Sequence, residues 1–176
     1  MRILLKKVYQ SPNQYGQKKL TIYISQAFRQ TPNVYFEIFE KDREWTVCWI
    51  MDITWMEAII VSREMNLTED EWHEALDDTA GENRFIDVLR ERNPIRSHCV
   101  DQKTAKQMEA LCKEGLPKPK SYPQGLDGHD YSITIDGFPK TFSCWCALPK
   151  EWKKLKPIIN QCIAYAQLDP DEYGTS

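Results

Sequence analysis

Between residues 69 and 82 the chain carries seven carboxylates, Glu69, Asp70, Glu71, Glu74, Asp77, Asp78 and Glu82, and no lysine or arginine. Acids in the first turn of a helix are favoured by the helix dipole. Thr68-Glu69-Asp70-Glu71 has the form of a capping box, in which the threonine hydroxyl and the third-residue carboxylate each satisfy a backbone amide. These effects account for Glu69, Asp70 and Glu71. They do not account for Glu74, Asp77 and Asp78, which fall where the dipole disfavours them. Asp70, Glu74 and Asp78 also repeat every four residues and so share one helix face, each like-charge neighbour costing about 0.2–0.5 kcal/mol. The chemistry open to such a surface is recognition, because it steers and orients a basic partner. Glu69, Asp70, Glu74, Asp77, Asp78 and Glu82 are therefore the candidate partner-binding residues. A merely solvated face is the alternative meaning of such a run.

The thiols and imidazoles offer less. Cys144 and Cys146 share one face of a strand, but a zinc site needs two more ligands, and no Cys-x-x-Cys pair is present. A cysteine nucleophile needs a base to form thiolate, and no local motif joins a cysteine to His73, His98 or His129. Neither a Gly-x-Ser-x-Gly elbow nor a glycine-rich phosphate loop occurs. The expectation is a protein without catalytic activity, metal or cofactor. The alternatives are a small cysteine enzyme using Cys99 and a histidine brought near by the fold, or a structural component of an assembly.

Lysines gather at Lys103, Lys106, Lys113, Lys118 and Lys120, and again at Lys150, Lys153, Lys154 and Lys156. With Trp145 or Trp152 as stacking groups they would suit a nucleic acid. Neither cluster holds an arginine, the residue that grips phosphate bidentately, and the net charge is −3. No direct nucleic-acid contact is expected. Any tryptophan left exposed would be an interface anchor.

These groups need a scaffold. Period-two alternation predicts strands over 2–9 and 20–24, and a hairpin of 34–39 with 45–50 across the charged link 40–44. Residues 55–65 read either way, with helix favoured. Helices are expected over 69–78, over 83–92 before Asn93-Pro94, and over 102–114 with Gly115 as the stop. Residues 116–130 form a loop and at most an internal seam. A second hairpin joins 131–135 to 141–146 through Asp136-Gly137. A last helix opens near Pro149 and either kinks or restarts at Pro157. Residues 168–176 form a polar, mobile tail. The result is an α+β fold in one domain over 1–176, with antiparallel hairpins at both ends, helices between them and a C-terminal helix. A chain of 176 residues buries roughly 70% of its unfolded surface and needs no staple. No apolar run approaches the roughly 18 residues of a membrane span, and 1–7 lacks the form of a secretory signal. A cytoplasmic protein with reduced cysteines is the expectation.

The stretch Tyr131-Ser132-Ile133-Thr134-Ile135-Asp136-Gly137, then Thr141-Phe142-Ser143-Cys144-Trp145, then Leu148-Pro149-Lys150-Glu151-Trp152-Lys153-Lys154-Leu155 resembles the end of emfourin-type small bacterial inhibitors. In overall character the chain is similar to immunity proteins of contact-dependent growth inhibition and related bacterial toxin systems. The resemblance implies an inhibitor that binds a cognate toxin domain, a basic nuclease for example, and blocks its active site.

Overall fold

A computed structural model describes residues 12–26, 33–51, 53, 55–77, 84–121 and 128–173. Six strands run β1 (Gln17–Gln26), β2 (Val34–Lys41), β3 (Glu44–Met51), β4 (Arg96–Cys99), β5 (His129–Ile135) and β6 (Thr141–Cys146). They form one antiparallel sheet in the order β4-β3-β2-β1-β5-β6. The expected hairpins are both present, and β1 joins them by pairing with β5 through Leu20 opposite Ile135 and Ile24 opposite Tyr131. The helices are α1 (Trp55–Glu64), α2 (Glu69–Asp77), α3 (Arg84–Arg92), α4 (Gln102–Glu114) and α5 (Leu155–Tyr165). The fold is α+β.

Alternation divides the sheet into two faces. On one, Leu20, Ile22, Ile24, Phe36, Ile38, Val47, Ile133 and Ile135 are buried. They pack with Met108 and Leu111 of α4 and with Leu155, Ile158, Ile159, Cys162 and Ile163 of α5. Full burial of each such side chain is worth about 1.5–3 kcal/mol. The opposite face carries a second cluster at one end of the strands. There Tyr23 and Ile50 meet Ala58 and Val61 of α1, Trp72 of α2, and Phe85, Ile86 and Leu89 of α3. At the other end Tyr15 lies against Phe39, with ring centroids 6.2 Å apart, and its hydroxyl pairs with Ser97 Oγ at 3.0 Å.

Several boundaries follow from local chemistry. The β2–β3 link is tighter than the expected 40–44, because Lys41 pairs with Glu44 and only Asp42 and Arg43 turn. Residues 55–64 settle as helix, with Ala58 and Val61 inward. Asp101 caps α4 by accepting the Thr104 amide at 3.0 Å. Gly115 ends that helix at φ 69°, and a Cβ there would lie 2.5 Å from the Phe138 ring. The strand β4 was not expected: its four residues are all exposed and show no alternation.

The last helix begins at Leu155 rather than at Pro149. A 3-10 turn over Lys150–Trp152 precedes it. Pro157 therefore sits in the first turn of α5, where its missing N–H would have had no helical partner. The expected free tail packs back as far as Tyr173, which is buried and whose carbonyl accepts the Tyr131 hydroxyl at 2.8 Å. The strand expected over 2–9 lies outside the described residues.

Candidate functional site

The acidic helix begins with the capping box that its sequence encodes. The Thr68 amide donates to Glu71 Oε2 at 2.7 Å, and the Glu71 amide donates to Thr68 Oγ1 at 3.3 Å. The Thr68 amide, and then its hydroxyl, hold the Glu71 carboxyl below its ordinary value. A nine-residue helix is marginal without tertiary support. Here the support comes from Trp72, which is buried, stacks on the His73 ring at 3.9 Å and tilts against Phe85 at 6.4 Å.

Burying Trp72 turns the acids outward. Glu69, Asp70, Glu71 and Glu74 are all exposed. The side chain of Glu69 is 85% exposed and has His73 Nε2 at 4.0 Å. Asp70 and Glu74, one turn apart, meet no hydrogen-bond donor and no cation among the described residues. Asp77 is the last residue of α2. Asp78 and Glu82 lie outside the described residues. Three of the six candidate positions, Glu69, Asp70 and Glu74, thus stand together in solvent on one helix.

The remaining chemical groups are dispersed. Cys48, Cys144 and Cys162 are buried, and burial is the main cause that pushes each thiol from 9.0 up to about 12. Cys99 is exposed on β4, but His98, its neighbour, projects from the opposite face of that strand. The His98 ring stacks on Tyr165 of α5 at 4.3 Å. His129 is buried on β5 and His73 lies on α2. Among the described residues, no three or more His, Cys, Asp or Glu side chains are grouped to hold a metal ion. Of the lysines in the two clusters, Lys113 pairs with Glu109 at 2.7 Å and Lys154 pairs with Glu114.

Trp45, Trp49, Trp72 and Trp152 are buried, whereas Trp145 on the edge strand β6 is 39% exposed. Its neighbour Cys144 belongs to the aliphatic core, so alternation puts Trp145 on the sheet face that carries α1, α2 and α3. Met56 and Ile60 of α1, one turn apart, are also exposed.

One polar group was not visible as special in the sequence. Glu37 in the middle of β2 is 1% exposed. It accepts Lys18 Nζ at 2.6 Å and the Tyr35 hydroxyl at 2.9 Å. In a strand, Glu37 reads as an outward residue of an alternating pattern, and nothing local reports its burial.

Among the described residues no helix is long and apolar enough to cross a membrane. Compared with protein-family models, with curated proteins and with solved structures, the chain finds no match in any of the three.

Proposed function

We propose that this protein is a cytoplasmic immunity-type inhibitor that binds a basic cognate toxin domain, a nuclease in the simplest case, and covers its active site. The observation that carries the reading is the outward face of α2. Glu69, Asp70 and Glu74 stand there in solvent, and Asp70 and Glu74 have no cation partner among the described residues. A helix under selection for stability alone gains from oppositely charged neighbours at this spacing and loses from like ones. An acidic face of this kind repels nucleic acid and attracts the cationic groups with which a nuclease holds its substrate. Occupying those groups competes directly with substrate. Trp145, on the same side of the sheet as α2, supplies an aromatic anchor.

The test is capture of the tagged protein's partner from its source cells, followed by association kinetics. A single stoichiometric basic partner is expected. Reversal of Glu74, Asp77 and Asp78 to lysine should leave the circular dichroism spectrum unchanged and slow association by about tenfold or more at low salt, with a smaller change in dissociation. Unchanged association in that variant would remove the acidic face from the interface. Failure to find a basic partner in cells that express a candidate toxin would remove the inhibitor reading itself.

A further inference from the structure

A cleft of about 770 Å³ opens between the turn end of the sheet and one flank of α4. That volume falls within the range of small-molecule sites, roughly 300–1,000 Å³. Its wall includes Trp45, Ala105 and Cys112, and its rim is charged. The three rim carboxylates are already engaged. Glu40 accepts the Arg43 amide at 3.0 Å and has Lys19 at 3.8 Å. Glu109 accepts Lys113 at 2.7 Å, and Asp136 accepts the Gln17 side-chain amide at 2.6 Å. Lys19 is further engaged by Gln17 Oε1 at 2.7 Å.

Two of these carboxylates sit in ion pairs and Asp136, held by a neutral amide, keeps its charge, so the cleft carries one cation in excess. Among the described residues, neither the Arg43 guanidinium nor the Lys106 ammonium forms a hydrogen bond or ion pair, and both line the cleft. They come from different elements, Arg43 from the β2–β3 turn and Lys106 from α4. Arg43 acts across the gap: after the Lys113 hydrogen bond and charge, its own charge helps to hold the Glu109 carboxyl below its ordinary value.

The turn itself singles out Arg43. Asp42 and Arg43 have φ 53° and 71°, the pattern of a type I′ turn, whose second position strongly prefers glycine. A side chain in this backbone region is strained, and retained strain of this kind gathers at ligand clamps. Glycine would close this hairpin more easily, but it would remove the guanidinium from the cleft.

We propose that the cleft binds a small organic oxyanion, with its carboxylate or phosphate held between Arg43 and Lys106 and its apolar body against the wall that contains Trp45. This site shares no residue with the acidic face of α2. Its occupancy is independent of the inhibitor reading.

The test titrates the full isotope-labelled chain with phenyl phosphate, with benzoate and with inorganic phosphate at matched ionic strength, followed by nuclear magnetic resonance. Saturable shifts centred on the Trp45 indole and on the Arg43 and Lys106 amides are expected with at least one of the two organic anions. The arm that binds more tightly tells phosphate from carboxylate chemistry. Arg43→Gly and Lys106→Gln should each weaken that binding by about tenfold or more, as loss of a charge-assisted contact does. Arg43→Gly should at the same time raise the thermal unfolding midpoint, so loss of binding cannot be ascribed to misfolding. The proposal is overturned if no organic anion gives a saturable shift at the cleft, if inorganic phosphate binds as tightly as phenyl phosphate, or if the Arg43→Gly protein binds as the parent does.

Discussion

On one face of the sheet β1, β2, β3 and β5 offer α4 and α5 little but aliphatic and aromatic side chains. On the other face the same strands set Glu37, Tyr35, Thr21 and Cys48 among the buried Tyr23, Phe39 and Ile50, with Glu37 and Cys48 as fully enclosed as the aliphatic residues behind them. The aliphatic face is bound by non-directional burial, so it tolerates side chains of similar volume. The polar face is directional. Glu37 requires the Lys18 ammonium and the Tyr35 hydroxyl where they are. A one-residue slip of β2 would carry that carboxylate into the aliphatic layer, where no donor waits. The larger apolar cluster thus lies on one face, and on the other Glu37 adds a directional constraint on the register.

Alkaline titration tests the contrast with the largest expected effect. The thiols of Cys144 and Cys162 on the aliphatic face, and of Cys48 on the polar one, are raised from 9.0 to about 12. Burial also raises the hydroxyls of Tyr35 and Tyr131. A group raised in the folded state favours folding fully below its unfolded value, and that advantage is lost as pH climbs toward the folded value. Stability should hold up to about pH 9 and fall steeply between pH 9 and pH 12, as read by denaturant midpoints at each pH. Glu37→Gln sharpens the point. After burial, the Glu37 charge is the second cause that raises Cys48, whereas burial alone raises Cys162. The variant should lower the Cys48 value and leave Cys162 where it is. Equal shifts of both thiols, followed through their Cβ resonances by nuclear magnetic resonance, would show that the faces do not differ in this way.

Next comes Trp152→Ala. This residue is 1% exposed, donates its indole N–H to the Pro117 carbonyl at 2.8 Å and meets Phe142 edge to face at 6.0 Å. A loss of about 3–5 kcal/mol in urea unfolding is expected. Lys18→Met should cost less, about 1–3 kcal/mol, because it strips one partner from a buried carboxylate while Tyr35 remains. A neutral result would mean that the partners Glu37 keeps are enough to satisfy it. The smallest effect is expected of Thr68→Ala, about 1 kcal/mol. Hydrogen exchange should show that loss mainly in α2, which rests on the polar face through Trp72, and leave α4 and α5 protected.

Where local chemistry decides, the sequence was enough. The capping box at Thr68 and Glu71 and the stop at Gly115 appear where the residue types place them. The strands β2 and β3 follow their aromatic and β-branched alternation. What depended on distant partners was hidden. The pairing of β1 with β5 leaves no local mark, and β4 is too short and too exposed to alternate. Pro157 was legible as a kink or a restart, and the choice between them was not, because it depends on where the preceding 3-10 turn ends. Of the candidate site, the acidic run and its amphipathic helix were legible. The orientation of that helix was not fixed until Trp72 found Phe85. The cleft at Arg43 was invisible, since its walls come from separate segments of the chain and its clue is a dihedral angle rather than a residue type.

The central position of β1 has a consequence for how the chain is made. One edge of β1 is closed by the β2 hairpin that follows it, but the other waits for β5, which starts at His129. At a synthesis rate of about 5–20 residues per second, that edge stays open for on the order of ten seconds as the helices emerge. Throughout that interval a nascent chain presents unpaired amides and carbonyls beside Leu20, Ile22 and Ile24, a template for a neighbouring nascent chain on the same message.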